Sequence, residues 1–156
     1  MARIEVDQSG KIEQTHFDTR IGAVRLRSSS VVIIDRRLKR ELLSEVIPVR
    51  RKFKVLSLFT SGVFLAIKPL LAEGDIIVID NEYLDQMRRV VRALRLLIGT
   101  SGLPEPEQIV VTSHYEVERA HLISKAPHVA DYKLAVGINN ARILTDVYYQ
   151  VLDIIR

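Results

Sequence analysis

Apolar and polar positions alternate at period two over Arg3-Ile4-Glu5-Val6-Asp7 before Gln8-Ser9-Gly10-Lys11 supplies turn chemistry, so the chain is expected to open with a strand ending at a carboxylate. Two more strands are expected over residues 19–26 and 30–34, separated by Arg27-Ser28-Ser29, giving an antiparallel start. Asp35 reads as the N-cap of a helix that runs to Ile47 and is stopped by Pro48. Residues 55–71 read as a second, largely apolar helix that Pro69 kinks or ends. After Ala72-Glu73-Gly74, the aliphatic run of residues 75–80 has the pattern of a strand covered on both faces, and it too ends at a carboxylate. A helix is expected over 83–98, with Arg88, Arg89, Arg92 and Arg95 near one face, then a loop over 99–106 and a strand over 108–112. A short helical or irregular stretch carrying His114, His121 and His128 precedes a final helix over 129–155. The order predicts an α/β mixed sheet with helices packed on its faces.

With 156 residues, 47% of them apolar, and only 7 Gly and 5 Pro, one compact domain over residues 1–156 is expected. The absence of Cys excludes disulfides, thiolate catalysis and Cys-ligated zinc or iron–sulfur sites, and agrees with a reducing, cytoplasmic setting. Met1-Ala2-Arg3-Ile4-Glu5 has no apolar signal core. The longest uncharged run, residues 55–67, is 13 residues, short of the roughly 20 that span a bilayer, so no membrane segment or membrane partner is expected.

Charge changes the picture more by placement than by amount. The net charge is +4, yet residues 36–54 alone hold eight bases (Arg36, Arg37, Lys39, Arg40, Arg50, Arg51, Lys52, Lys54) against Glu41 and Glu45. Such a stretch tracks phosphates through counterion release or simply forms a solvated helix face. With no Trp and 6% aromatics there is little base-stacking equipment, so grip on a nucleic acid would come from charge, on residues 36–54 and on the Arg88-Arg89-Arg92-Arg95 helix, and read backbone shape. No GxxxxGK[ST], GxGxxG after a strand, HExxH or GxSxG is present.

Asp7 and Asp80 are the candidate chemistry. If their strands are neighbours, the carboxylates converge, and two close carboxylates repel unless they share a proton, are hydrogen-bonded or hold a cation. Mg²⁺ suits such a site, being hard and content with few protein ligands plus water and phosphate. Glu82 would reach the same side as Asp80 if the extended chain continued, as a ligand or a supporting group; otherwise it is a surface residue beginning the next helix. Histidines 114, 121 and 128, spaced by seven across a Pro-containing stretch, do not by spacing fix a three-ligand site.

IEVDQSGKIEQ with Asp7, the two strands after it, the LKRELL helix, DIIVIDNEY and SKAPHVADYKLA together resemble an archaeal-type branch of the ribonuclease H-like superfamily, over nearly the whole chain. The resemblance implies a mixed five-stranded sheet with helices on both faces. It also implies acids on the first strand, the early helix, the fourth strand and the last helix, holding two metal ions, Mg²⁺ or Mn²⁺, for phosphodiester hydrolysis. Carried over, Asp7 and Asp80 match the strand acids and Asp131 the last-helix acid. Glu41 matches the early-helix acid, with Glu45 competing. His121 matches a proton-moving histidine before the last helix. Metal ligands would be Asp7, Asp80, Glu82 and Asp131, and Lys125 would join Arg36, Arg37, Lys39, Arg40, Arg50, Arg51 and Lys52 in touching phosphates.

Three functions are therefore expected to compete: a metal-dependent nuclease acting on RNA, DNA or a hybrid; the same fold without catalysis, binding nucleic acid or protein; and a homo-oligomer built on the apolar helix of residues 55–71, through Phe59, Val63, Phe64 and Ile67. Burial of that helix within a monomer is the simpler account of its pattern.

Overall fold

In the computed structural model, residues 1–156 are described, the side chains of residues 114 and 115 excepted. Six strands form one mixed sheet: β1 (Arg3–Ser9), β2 (Thr19–Arg25), β3 (Ser28–Ile34), β4 (Ile76–Asp80), β5 (Gln108–Thr112) and β6 (Tyr132–Val136), in the order β5-β4-β1-β2-β3-β6. β2 runs against β1 and β3, while β4 pairs parallel to β1, β5 to β4 and β6 to β3. Every strand except β2 thus points the same way. The turn between β2 and β3 is Leu26-Arg27, with Leu26 at φ 52°, so Ser28 and Ser29 belong to β3 and not to the connection.

The helices are α1 (Arg36–Ser44), α2 (Arg51–Ile67), α3 (Met87–Thr100), α4 (Glu118–Lys125) and α5 (Arg142–Ile155). Alternate strand residues Ile4, Val6, Ile21, Ala23, Ile77 and Ile79 join one core with Leu38, Phe59, Val90 and Tyr148 from α1, α2, α3 and α5. The other face of β1 and β2 is covered by α4. Helix α2 is apolar on most of its circumference because it lies between the sheet and the α3–α5 pair. Phe59, Val63, Phe64 and Ile67 are all buried by the chain itself. Among the described residues no helix is long and apolar enough to cross a membrane.

Three expectations about elements are corrected. Asp35 does cap α1, accepting from Arg37 N–H at 2.7 Å, but the helix stops at Ser44 rather than Ile47. The buried Lys54 ammonium donates to the carbonyls of Leu43 (3.2 Å) and Glu45 (2.6 Å), taking up carbonyls at that helix end. The expected final helix over 129–155 is instead a strand followed by a shorter helix. Tyr132 to Val136 pair with Ser30 to Ile34, filling the outer edge of β3, and only after Gly137 does the chain turn toward α5. The sheet accordingly has six strands and not five.

Candidate metal centre

Parallel pairing of β1 with β4 sets Val6 opposite Ile79, so the next residues on each strand, Asp7 and Asp80, end up side by side at the same end of the sheet. By the period-two alternation both side chains leave the face opposite Val6 and Ile79, away from the main core. After Asp80 the chain turns sharply. Asn81 N–H donates to the Thr112 carbonyl and Glu82 N–H to the Asp80 carbonyl, both at 2.9 Å, and the turn brings Glu82 back to the two aspartates. Carboxylate oxygens of Asp7, Asp80 and Glu82 lie within 4.8 Å of one another.

Both aspartates are buried, Asp7 to 1% exposure and Asp80 to 8%. Asp7 Oδ1 accepts from the Gln8 N–H at 2.9 Å, and Oδ2 lies 2.7 Å from Nδ1 of His121 on α4. Where Asp7 is ionised, its Oδ2 accepts from the Nδ1–H of His121. Burial pushes the Glu82 carboxyl up to about 8, helped by hydrogen bonds with Asp7 and Asp80 and by the charge of Asp7. At neutral pH the trio is therefore held partly by a shared proton. Tyr83 anchors the turn: its hydroxyl accepts from Gln8 Nε2 at 3.2 Å, and its ring meets Phe59 edge-on at 5.1 Å.

Gly22, opposite Asp7 in the β1–β2 register, is the residue that lets His121 reach the aspartate. A Cβ at this position would come within 2.6 Å of the Ala120 carbonyl oxygen and 2.9 Å of Ser124 N, so only glycine allows α4 to sit this close. This role was not anticipated from the sequence; an isolated glycine inside a strand pattern is the signal that pointed to it.

Other expected site residues lie elsewhere. Asp131 precedes β6, at the opposite end of the sheet, where its carboxylate accepts from Ser29 N–H (2.8 Å) and faces Ser29 Oγ (3.3 Å); it is no ligand of this cluster. The cause is the replacement of the expected helix by β6, which carries residue 131 to the start of a strand. Glu41 is exposed on α1, whose buried side is Leu38, Lys39, Leu42 and Leu43. Its competitor Glu45 accepts from the Tyr149 hydroxyl at 2.5 Å. His128 is exposed, and the side chain of His114 lies outside the described residues. Lys39 is no phosphate ligand, because it is fully buried and its ammonium donates to the carbonyls of Lys11 and Gln14 and to Thr19 Oγ1. Arg36, Arg37, Arg40, Arg50, Arg51, Lys52 and Lys125 are exposed.

No protein-family model, curated protein or solved structure matches the chain. The donor set itself decides what the site fits. The three carboxylates, with no sulfur among them, form a hard, oxygen-rich set that could hold a divalent metal ion. A divalent ion would replace the shared proton as the charge that lets the acids sit together.

Proposed function

We propose that the protein is a metal-dependent phosphodiesterase acting on nucleic acid, RNA or an RNA/DNA hybrid foremost, with Asp7, Asp80 and Glu82 holding Mg²⁺ or Mn²⁺. The observation that carries this reading is the meeting of three buried or half-buried carboxylates at two neighbouring strand ends, within 4.8 Å of one another. Asp7 and Asp80 are also the two strand acids that the ribonuclease H-like resemblance singles out. A bound divalent ion would polarise a phosphoryl oxygen and make water acidic enough to attack phosphorus in line.

The chain's own residues do the rest. Asp7 and Asp80 bind as carboxylates, Glu82 gives up its proton when the site is loaded, and His121 holds Asp7 in one rotamer. His121, hydrogen-bonded to Asp7, is the group placed to move a proton in the reaction.

The test is cleavage of RNA, DNA and hybrid strands with Mg²⁺ or Mn²⁺, leaving 3′-hydroxyl and 5′-phosphate ends. Asp7→Asn and Asp80→Asn are expected to lose at least about a hundredfold in rate, whereas Asp131→Asn keeps full activity. Undiminished cleavage by both strand variants sinks the proposal. A second reading, the same fold binding nucleic acid without turnover, is favoured by the position of Asp131 and Glu41 away from the cluster, which leaves fewer acids together than the resemblance implies. Salt-sensitive binding with no cleavage under any metal would support it.

A further inference from the structure

The sheet has two outer edges, β6 and β5, and the chain guards only one of them. On β6 the Val136 carbonyl accepts from Asp35 N–H at 2.9 Å, so by alternation Lys133, Ala135 and Gly137 turn their backbone groups outward. Asn140 fills part of that edge as a neighbouring strand would. Its Nδ2 donates to the Ala135 carbonyl at 2.9 Å and its Oδ1 accepts from Gly137 N–H at 2.8 Å. Lys133 adds a charge within the strand, a second guard against edge pairing. β5 carries neither device. The Thr112 carbonyl accepts from Asn81 N–H at 2.9 Å, so Gln108, Val110 and Thr112 face β4, while Ile109 and Val111 turn their N–H and C=O groups outward. Among the described residues none of these four groups has a hydrogen-bond partner. No charge or proline interrupts residues 108–112.

Beside this edge, on the core face of the sheet, a groove of about 970 Å³ separates β5 from α3, the helix that crosses from β4 to β5. Arg88 and Arg92 line it, are exposed, and make no hydrogen bond or ion pair among the described residues. Asp85 is the one acid in the wall. The cavity lined by Arg40, Glu41 and Arg51 also holds bases, but no strand borders it, so it offers a peptide no ladder to join.

We propose that β5 takes an added strand from a partner protein, an extended peptide with carboxylates at alternate positions that lie against Arg88 and Arg92. Ile109 and Val111 point to the core face, so the residues of an added strand that lie beside them send their side chains into the groove. Alternate residues of a strand are about 6.8 Å apart, and Arg88 and Arg92 are about 6 Å apart along a helix that runs back beside the strands, so two acids meet one guanidinium each. The residue between those acids falls on the other face next to Val110, which is 37% exposed, and fits as a β-branched apolar one. A second copy is a poorer occupant, because joining two β5 edges brings two sets of these arginines together. The inference does not depend on Asp7 and Asp80, which leave the sheet on its other face.

The experiment is fluorescence anisotropy of a fluorescein-labelled peptide in which Glu alternates with Val, titrated with the full chain. Two further probes are the same peptide with Lys in place of Glu and the same peptide N-methylated along its backbone. The Glu peptide is expected to bind, and both others to bind at least about tenfold more weakly, the first through charge and the second through the lost ladder. Arg88→Gln/Arg92→Gln should weaken the Glu peptide about tenfold, as expected for two partly exposed ion pairs. Arg50→Gln/Arg51→Gln should bind it within about twofold of the parent. Far-UV circular dichroism confirms that both variants are folded, and sedimentation should find the chain alone monomeric. The proposal is overturned if the Glu peptide does not bind, if its N-methylated form binds as well, which would show charge attraction without strand pairing, or if the α3 variant binds like the parent. A dimer of the chain that the peptide does not break would also overturn it, since a second copy would then hold the edge.

Discussion

The two ends of the sheet treat buried aspartate in opposite ways. At the end where β4 begins, the fully buried Asp75 is saturated with donors: Arg25 Nε (2.7 Å) and Nη2 (3.2 Å), Ala2 N–H (3.0 Å) and Ala72 N–H (2.9 Å). Although burial opposes its charge, these donors hold its carboxyl below the usual range. At the end where β4 finishes, Asp80 meets two further acids, and Glu82 is driven up to about 8. β4 is thus preceded by an aspartate saturated with donors and ends in one grouped with further acids. What separates them is the sign of the company they keep, since both are buried.

Exchange of the charge at each end should therefore move stability in opposite directions. Asp75→Asn leaves the Arg25 guanidinium without its counter-charge and is expected to cost about 3 kcal/mol, the low end for a broken buried pair because Arg25 is partly exposed. Asp80→Asn removes one of the carboxylates crowded together there and should stabilise the metal-free protein by roughly 1 kcal/mol, about 2 to 4 °C in Tm. It should also abolish any Mg²⁺-dependent rise in Tm. Thermal melts with and without Mg²⁺ check both, and a destabilised Asp80→Asn would break the contrast.

Gly22→Ala sharpens it from the other side. The added methyl forces α4 off β2, costing about 1 to 3 kcal/mol as overpacking. It should also reduce cleavage at least about tenfold by separating His121 from Asp7. Since the acids themselves do not move, the Tm gain with Mg²⁺ should persist, which distinguishes lost positioning from a lost ion.

The last effect is on pH dependence. Glu82 binds its proton up to about pH 8 in the folded chain but only to about 4.5 when unfolded, so the folded state holds the extra proton between these values. Metal-free stability should fall as pH rises from 5 to 8, and Glu82→Gln should lack this component. Denaturant melts in EDTA at both pH values measure it; equal slopes for the parent and the variant would show that the acids do not share a proton.

Much of this was legible before the fold was known, for identifiable reasons. Asp7 and Asp80 stood out because a charge ends an otherwise β-forming run, and the parallel pairing of β1 and β4 then brought them together. Asp131 was misplaced because residues 132–136 alternate over only five positions, too few to separate a strand from the start of the long helix that follows. What decided the matter was the open edge of β3, which no local pattern contains. Lys39 was misread because it was counted as charge. Its position between Leu38 and Leu42–Leu43 on the helical period marks the buried side of α1.

Lys39 also has a consequence for the region around the acids. The segment that leaves β1 just past Asp7 is tied from beneath by this amine, whose burial lowers its pKa to about 8. A minor fraction of it is thus unprotonated and nucleophilic near physiological pH, yet no acylating reagent can touch it while the chain is closed. Any covalent tag found there is a record that the molecule has opened, kept by a side chain that otherwise never meets solvent.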